Sequence, residues 1–275
     1  MRRRWRMAGT KSMTPEREGE FAAAPMSIVE LYWMALDPGV AERARFARVL
    51  SPDERQRAER FRFPRDRWRY VVRRGRLREL LAVRLGCTPA EVPLSCNGFG
   101  KPRVEPNSRL QSRDLRFSLS HSGGLALYAI ADGVEIGCDI EWRAPTFGLE
   151  AAAERFFSPL EVRMLRSLPR DQWAAGFFNC WTRKEAFVKA RGFGLSLPLN
   201  EFDVSLIPGE PAVLLRGGAG WSVRALEPIE GLHAAIVAEG SAWQLAPSRD
   251  DGLRRCDDGL TKIGGPEHRR PTRVH

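Results

Sequence analysis

The chain has 275 residues, of which 43% are apolar, and its 44 Lys and Arg exceed its 34 Asp and Glu to give a net charge of +10. Such a chain can bury a sizeable hydrophobic core. No apolar run approaches the roughly 20 residues needed to cross a bilayer, and the charged start MRRRWRMAGT lacks the apolar segment of a secretory signal. We therefore expect a globular, cytoplasmic protein without a membrane partner.

Five cysteines are spread from Cys87 to Cys256, and none of them forms a CxxC pair. This number and spacing are typical of neither a disulfide framework nor a zinc site. We predict free thiols in a reducing compartment.

The positive charge is concentrated at the two ends of the chain. Residues 1–26 and 248–275 together carry half of the net charge, and both stretches are polar and lack apolar periodicity. We predict a disordered basic extension over residues 1–25, a disordered tail over residues 247–275 and a folded unit between them.

The first predicted elements of the folded unit are a strand and two helices. The segment MSIVELYWMALD, which starts at Met26, indicates the strand. Ser51 followed by Pro52 and two acids is typical of a helix start, and Pro64 interrupts the pattern. A second helix is predicted from about Arg65 to Leu85, and Gly86 ends it. The many arginines here favour a solvated face, although a group of them near helix ends could also grip phosphates.

Short strands and turns follow. VPLSCNGFGKPRVE carries turn residues between two extended flanks, and LRFSLSHSGGLALYAIAD alternates as a strand does. Phe117 and Leu119 are expected on one face of that strand, with Ser118 and Ser120 on the other. His121, at the end of the strand, is either a structural or exposed residue or a ligand, and the pattern leaves both readings open.

Two carboxylates share one face of the next strand, IGCDIEW. Residues two apart in a strand point the same way, so Asp139 and Glu141 project together while Ile140 packs behind them. Adjacent carboxylates repel each other unless a cation lies between them, and oxygen ligands of this kind suit Mg²⁺. The alternative is a solvent-facing edge whose acids only aid solubility.

An acid and a base are held in register on the predicted helix FFNCWTRKEAFVKA. Phe177, Trp181 and Val188 form one apolar stripe of this helix, and Glu185 and Lys189 lie four residues apart on the neighbouring face. The pair indicates either part of a functional site or an ordinary helical salt bridge.

Two glycines follow this helix. Gly192 and Gly194 are expected to end it and to admit a close approach of another backbone. The segment LSLPLNEFDVSL is then predicted to resume as a strand.

Taken in order and at their separations, FSLSHS, IGCDIE and WTRKEAFVKARGFGLSLPL resemble the motifs of the Sfp-like 4′-phosphopantetheinyl transferases, which activate acyl and peptidyl carrier proteins. The resemblance covers about residues 51–206 and extends more weakly over 26–246. It implies a monomeric α+β protein built from two similar halves in a pseudo-twofold arrangement, with the active site in the cleft between them. The N-terminal half, residues 26–136, would bind coenzyme A, and the C-terminal half, residues 137–246, would carry the metal and catalytic residues.

The resemblance also assigns the site residues. Asp139, Glu141 and Glu185 would hold Mg²⁺, for which Mn²⁺ could substitute, against the pyrophosphate of the substrate coenzyme A. Lys189 would lie near the same phosphates and steady or protonate the departing 3′,5′-ADP. Further contacts would come from Ser120 and His121 at the phosphates, Lys101 and Pro102 along the nucleotide, and Arg69 and Arg57 at the 3′-phosphate.

A serine hydroxyl of the carrier protein would attack, and its proton must be removed as the oxygen bonds to phosphorus. Glu185 is one candidate base, although a carboxylate bound to Mg²⁺ is a weakened base. We hypothesise that Glu161, in FFSPLEVRML, takes the proton directly or through a water. The alternative is that Glu161 is only an acid in the first turn of a helix begun by Ser158 and Pro159.

The predicted activity is therefore the transfer of 4′-phosphopantetheine from coenzyme A to an apo carrier protein of fatty acid, polyketide or nonribosomal peptide synthesis. The alternative is a catalytically silent module that binds coenzyme A or the carrier. A nucleic-acid-binding protein would use the arginines, but the carboxylates would repel phosphates, so no nucleic-acid partner is expected. A basic surface beside the cleft would instead steer an acidic carrier protein towards it.

Overall fold

The computed structural model describes residues 26–105, 114–143, 148–226 and 229–246. The predicted basic extension, residues 1–25, and the predicted tail, residues 247–275, lie outside the described residues. Helices and strands are mixed along the described chain, which confirms the predicted α+β class.

Six helices and eleven strands are present in these four ranges. The helices are α1 (Val40–Arg48), α2 (Pro52–Glu59), α3 (Pro64–Leu85), α4 (Leu149–Phe156), α5 (Pro159–Ser167) and α6 (Arg170–Arg191). The strands are β1 (Ser27–Ala35), β2 (Leu94–Cys96), β3 (Pro102–Val104), β4 (Leu115–Ser122), β5 (Leu125–Asp132), β6 (Ile136–Trp142), β7 (Asp203–Val204), β8 (Leu214–Arg216), β9 (Trp221–Leu226), β10 (Leu232–Glu239) and β11 (Trp243–Leu245). Short 3-10 turns lie at Pro89–Glu91, Gly194–Ser196 and Leu199–Glu201.

Two sheets form the centre of the molecule. The first has the strand order β11-β1-β5-β4 and the second has the order β6-β10-β9. β11 pairs with β1 in parallel, whereas the other pairs in both sheets are antiparallel. We call β1–β5 with α1–α3 and β11 the N half, and β6–β10 with α4–α6 the C half. A strand from beyond β10 therefore completes the sheet of the N half.

The order of helices and strands along the chain is the same in the two halves. In each half, a strand leads to a short helix capped by a serine and then to a 22-residue helix that ends at a left-handed glycine. A pair of short strands and then two longer strands follow, and the last of them pairs with the first strand of the half. The orders β1-β5-β4 and β6-β10-β9 are thus equivalent, which agrees with the predicted pair of similar halves.

The two sheets face each other through one apolar layer, to which alternate residues such as Val29, Leu127, Ile140 and Ile236 contribute. On their other faces, the first sheet packs against α3 and the second packs against α6. Successive residues of a strand point to opposite faces. One face of β6 therefore enters the layer between the sheets, and the face that carries Asp139 and Glu141 looks towards α6.

Helix α1 is an element that the sequence pattern does not predict. Its nine residues, VAERARFAR, bury one apolar side chain, Phe46. That side chain packs so closely on α3 that a Cβ placed on Gly75 would lie 2.6 Å from the Phe46 Cβ. Packing on α3, rather than local periodicity, stabilises α1.

Helix α6 is present as predicted, but it is longer than the predicted segment and is buried on more than the one face that an apolar stripe covers. Phe177 and Val188 are buried, and so are the polar side chains of Thr182, Arg183 and Lys184. Buried polar groups need partners, and Arg183 donates to the carbonyl of Ser205 at 2.6 Å. The C half therefore surrounds α6 on most of its circumference.

The predicted strand over LSLPLNEFDVSL is wrong for most of its length. Two 3-10 turns occupy its first part, and only Asp203–Val204 pairs, as β7, with β8. Lys184 of α6 donates to the carbonyls of Leu199 and Phe202, both at 2.6 Å. A buried side chain thus satisfies backbone groups that a strand would have paired in a ladder.

The four cysteines in the described residues are free, as predicted. Within the same residues, no helix combines the length and the apolar character needed to pass through a membrane.

Candidate active site

A cleft of about 680 Å³ lies between the two halves. The N half lines it with α2, α3, the β2–β3 hairpin and β4, and the C half lines it with α4, α6 and the turns after α6. Among the described residues that line it, Glu185 is the one acid, and the basic ones are Arg57, Arg73, Arg74, Lys101, Arg155 and Lys189. This charge suits a ligand with several negative groups.

The acidic part of the site depends on how closely α6 lies on β6. A Cβ placed on Gly137 would be 2.0 Å from the carbonyl oxygen of Ala186 and 2.3 Å from the amide nitrogen of Ala190. Only glycine permits this approach. It brings Lys189 of α6 within reach of Asp139, two residues further along β6.

Asp139 is the centre of the charged cluster. Its side chain is buried, and its Oδ1 accepts hydrogen bonds from Lys189 Nζ at 2.6 Å and from Ser120 Oγ at 2.7 Å. Its Oδ2 is also buried and has no hydrogen-bond partner among the described residues. Because a buried carboxylate oxygen without a partner is costly, this atom is a place where a bound cation or donor would stabilise the protein.

Burial and the charge of Asp139 disfavour ionisation of the two neighbouring glutamates. Burial raises the pKa of Glu141 to about 7, and the negative charge of Asp139 adds to this effect. Burial and the charge of Asp139 also raise the pKa of Glu185. Burial alone would lower the pKa of Lys189, but the charge and hydrogen bond of Asp139, together with the charges of other neighbours such as Glu185, outweigh it and the net shift is upward. The three predicted metal ligands and Lys189 therefore act on one another electrostatically.

The three carboxylates have the chemistry of a metal site without being drawn together into one. Nowhere in the described ranges do three His, Cys, Asp or Glu side chains converge closely enough to hold a metal ion. Glu141 Oε2 instead accepts from Ser122 Oγ at 2.8 Å. An all-oxygen set with one unpartnered buried oxygen and mutual repulsion nevertheless fits a hard cation such as Mg²⁺, which would have to draw the side chains together.

Three serines on one face of β4 join the two halves beside this cluster. Ser118 Oγ accepts from the amide of Cys138 at 3.0 Å, and Ser122 Oγ accepts from the amide of Trp142 at 3.1 Å. These hydroxyls bond the edge of β6 in place of backbone carbonyls. Ser120 lies between them and bonds Asp139. Ser118 and Ser120 thus share one face of β4, as predicted, and this face lies against the C half.

Only some of the residues predicted to contact coenzyme A line the cleft. Arg57, Lys101 and Pro102 line it. His121 is exposed at the end of β4 and is not among the lining residues. The ammonium group of Lys101 is turned to acceptors within the protein rather than to the open space.

Arg69 is also held by the protein. Its Nε donates to Asp37 Oδ1 at 3.0 Å, and its Nη1 donates to the carbonyl of Gly123 at 2.9 Å. The carboxylate of Asp37 at the end of β1 has its pKa lowered by this guanidinium. Arg69 is therefore anchored between β1 and the β4–β5 turn, and it is not among the residues that line the cleft.

The geometry speaks against Glu161 as the general base and for its alternative role in the first turn of α5. Glu161 is fully buried, and its carboxylate accepts from the amides of Ser158 and Val204, both at 2.8 Å. Its Oε2 also lies 2.8 Å from Lys184 Nζ, and neither residue lines the cleft. A carboxylate enclosed by three donors has no path to a serine of another protein.

Several site residues were not singled out from the sequence. Arg73, Arg74 and Arg155 line the cleft, but nothing distinguishes them from the many other arginines nearby. Asn97 crosses from the β2–β3 hairpin to bond the end of α6. Gly137 carried a usable signal, because a glycine inside a strand often marks a close approach of another backbone.

The comparisons with known proteins agree with this architecture. The sequence model of the 4′-phosphopantetheinyl transferase superfamily matches residues 135–237, in the C half. A second model, of the 4′-phosphopantetheinyl transferase N-terminal region, matches residues 34–132, in the N half. The two matches meet just before β6, where the second half of the fold begins.

Three relatives resemble the chain over most of its length. The 4′-phosphopantetheinyl transferase HetI of Nostoc sp. is 41% identical over 78% of this chain and 90% of the relative. The 4′-phosphopantetheinyl transferase Sfp of Bacillus subtilis is 32% identical over 65% of this chain and 77% of the relative. The L-aminoadipate-semialdehyde dehydrogenase-phosphopantetheinyl transferase of Homo sapiens is 28% identical over 78% of this chain and 76% of the relative.

Proposed function

This chain belongs to the 4′-phosphopantetheinyl transferase superfamily, and on that premise we propose how its cleft performs the transfer. The enzyme moves the 4′-phosphopantetheine group of coenzyme A to a serine of an apo acyl or peptidyl carrier protein and releases 3′,5′-ADP. Coenzyme A binds in the cleft between the halves, and the carrier approaches at the mouth of that cleft.

One observation carries the proposal: a buried Asp139 with one oxygen bonded to Lys189 and the other without a partner lies beside a basic cleft. Transfer from a pyrophosphate requires charge to be neutralised on both the transferred group and the leaving group. The basic lining supports binding of the phosphates, and the unpartnered oxygen supports a cation at the reacting centre.

Asp139, Glu141 and Glu185 are the residues that would hold this cation, Mg²⁺ or, as a substitute, Mn²⁺. When bound, it would neutralise negative charge on the pyrophosphate oxygens. Until then, Lys189 compensates the charge of Asp139. Ser120 and Ser122 donate hydrogen bonds to the carboxylates of Asp139 and Glu141 and so orient these two side chains.

The remaining contacts to coenzyme A are assigned by charge and position. Arg57 and Pro102 line the cleft, as do three arginines that the sequence did not single out, Arg73, Arg74 and Arg155. Arginine suits phosphates because its planar fork can donate to two oxygens at once. Arg69 retains donor hydrogens beyond those given to Asp37 and Gly123, and we keep it, Ser120 and His121 as candidate contacts at the phosphates.

We assign removal of the serine proton to Glu185 rather than to Glu161. Glu185 lines the cleft, where a carrier serine can reach it, and Glu161 does not, so Glu185 is the better placed of the two although a bound cation would weaken it as a base. The serine oxygen bonds to the phosphorus of the phosphopantetheine group while the bond from that phosphorus to the oxygen of 3′,5′-ADP breaks. The proton passes to Glu185, directly or through a water, and the ammonium of Lys189 offsets the charge on the departing oxygen.

The proposal includes a monomeric enzyme in the cytoplasm whose macromolecular partner is an acidic carrier protein. The basic cleft and the net charge of +10 support electrostatic steering of such a partner. Steering of this kind weakens as salt is added.

Intact-protein mass spectrometry of several apo carrier proteins, incubated with this enzyme, coenzyme A and Mg²⁺, tests the proposal. We expect one carrier serine to gain the mass of one phosphopantetheine group and EDTA to abolish the gain. Coenzyme A binding without a mass gain on any carrier would favour the catalytically silent module. A gain that is unaffected by EDTA would remove the metal from the proposal.

A further inference from the structure

The β2–β3 hairpin of the N half contacts the last turn of α6 in the C half. Asn97 Nδ2 donates to the carbonyl of Gly192 at 2.9 Å, and Lys101 Nζ donates to the carbonyl of Ala190 at 2.9 Å. The last carbonyls of a helix have no partner within the helix. The hairpin therefore supplies hydrogen bonds that the end of α6 lacks.

All three donors of the Lys101 ammonium group have acceptors within the protein. Besides Ala190, they are Glu135 Oε2 at 2.6 Å and the carbonyl of Ile136 at 3.2 Å. A lysine has three donor hydrogens. One side chain thus ties the hairpin to the start of β6 and to the end of α6, and it has no hydrogen left for a ligand.

Asn97 organises the hairpin and contacts α6 with the same side chain. Its Oδ1 accepts from the amides of Phe99 and Lys101, both at 2.9 Å, while its Nδ2 bonds α6. A Cβ on Gly192 would lie 3.2 Å from Asn97 Nδ2, and one on Gly194 would lie 3.0 Å from the carbonyl oxygen of Phe99. The close approach predicted for these two glycines is the contact with the hairpin.

We propose that Asn97 and Lys101 form a clasp that fixes the carboxyl-terminal end of α6 and so positions Lys189 and Glu185 for the reaction. Ala190, which Lys101 holds, directly follows Lys189 on the helix. Misplacement of a reacting group by about 1 Å can cost up to about a hundredfold in rate. The inference rests on the proposed transferase function and replaces the contact with the nucleotide that the resemblance implies for Lys101.

Two variants break the clasp from its two sides, and a third is their control. Lys101→Met keeps the stem and removes the three donors. Asn97→Asp keeps the oxygen that holds the turn but places an oxygen against the carbonyl of Gly192. Arg103→Met is matched to Lys101→Met, because it also removes one positive charge from the hairpin, where its Nε bonds Ser95 at 3.3 Å.

Steady-state kinetics and binding separate the clasp from a nucleotide contact. For Lys101→Met and Asn97→Asp we expect kcat at saturating coenzyme A and carrier to fall about tenfold. The Kd for coenzyme A, measured by calorimetry without a carrier, should stay within about threefold of wild type. Arg103→Met should leave kcat within about twofold. If Lys101→Met kept the wild-type kcat while its Kd for coenzyme A rose about tenfold, Lys101 would contact the nucleotide, and the clasp would be overturned.

Amide hydrogen exchange tests the clasp without catalysis. The amides of residues 186–192 should exchange at least about tenfold faster in Lys101→Met and Asn97→Asp than in wild type or Arg103→Met. Equal protection in all four proteins would overturn the inference. If exchange responds as expected but wild type modifies no carrier, the clasp contact stands and the proposed function fails, so the two failures are distinguishable.

Discussion

The N half and the C half hold their long helices in the same way. Glu54 at the start of α2 accepts from Arg78 Nε of α3 at 2.6 Å, and Glu161 at the start of α5 lies 2.8 Å from Lys184 Nζ of α6. Each glutamate also completes the capping box of its own short helix. Arg78 and Lys184 each lie fourteen residues after the first residue of a 22-residue helix. The buried ion pair is therefore a repeated structural feature.

The halves differ where the first strand faces the long helix. In the N half, β1 presents Glu30 to α3, and Arg84 of α3 pairs with it. In the C half, β6 presents Asp139 and Glu141 to α6, and Lys189 bonds only one oxygen of the aspartate. In the N half, Arg84 thus neutralises Glu30, whereas the C half has more carboxylates than cations between its first strand and its long helix.

This difference separates structural charge from functional charge. An ion pair that recurs in both halves needs no reaction to explain it, and Glu161 belongs to such a pair. Among the residues that the structure describes, the unbalanced carboxylates occur in the C half alone, and an imbalance of this kind is typical of a site that binds a cation. Matched variants of the two halves test this division.

Asp139→Asn should lower kcat/KM by about 10²- to 10³-fold, because it removes the charge that Lys189 and the proposed cation share. Transfer to an apo carrier, followed by intact-protein mass spectrometry, measures the loss. Glu30→Gln in the N half is the control and should change the same quantity by less than about threefold. Equal losses in the two variants would mean that the C-half carboxylate has no special role.

Glu161→Gln and Glu54→Gln should each destabilise the protein by about 3 kcal/mol, because each leaves a buried cation without its partner. Urea unfolding followed by circular dichroism measures both values. The kcat of folded Glu161→Gln at saturating coenzyme A should stay near that of wild type. Wild-type stability with a large loss of kcat in Glu161→Gln alone would restore Glu161 as the general base.

Gly137→Ala should destabilise the C half by about 2 kcal/mol and lower kcat, since the added methyl group would push α6 away from β6. Thermal unfolding and the transfer assay measure the two effects. Gly39→Ala is the control, because a Cβ at Gly39 in the N half meets nothing within 4 Å. A Gly137→Ala protein as stable and active as the control would contradict the close packing of α6 on β6.

The C half should also carry a dependence of stability on pH through His233 of β10. Burial lowers its pKa to about 4, and its Nδ1 lies 2.9 Å from Asn179 Oδ1 of α6. The unfolded chain binds a proton below about pH 6.5 and the folded chain only near 4, so stability is lost as the pH falls through this window. The loss should reach roughly 2 kcal/mol by pH 5.

Urea unfolding of wild type and His233→Gln at pH 7 and pH 5 measures this contribution as the difference between the two proteins, because the opposite effect of the raised pKa of Glu141 is common to both. The N half offers a contrast, because Tyr128 of β5 bonds the carbonyl of Arg73 on α3 and does not titrate in this range. An unchanged pH dependence in His233→Gln would assign it to other groups.

The sequence predicts the parts of the site that depend on local pattern. Alternation placed Asp139 and Glu141 on one face of β6, helical spacing placed Glu185 and Lys189 on one helix, and glycine chemistry predicted the end of α6. These features need only the geometry of a single element. Such features can therefore be predicted from the sequence without knowledge of the rest of the fold.

The sequence does not predict which partner a charged side chain chooses from elsewhere in the chain. Lys189 bonds Asp139 across the joint between α6 and β6 rather than Glu185 on its own helix. Arg69 is held by Asp37, and Lys101 by Glu135. Each of these pairs joins residues more than thirty positions apart, and burial decides between partners that the sequence pattern treats as equal.

The most direct test of the account is the stoichiometry of the two products formed by the wild-type enzyme. Coenzyme A, Mg²⁺ and an apo carrier are incubated with the enzyme, 3′,5′-ADP is quantified by chromatography, and the modified carrier is quantified by mass spectrometry. We expect one 3′,5′-ADP for each carrier serine modified, and we expect both products to form about 10²- to 10³-fold more slowly with Asp139→Asn. Both products at the wild-type rate from Asp139→Asn, or bound coenzyme A that yields neither from wild type, would contradict the account.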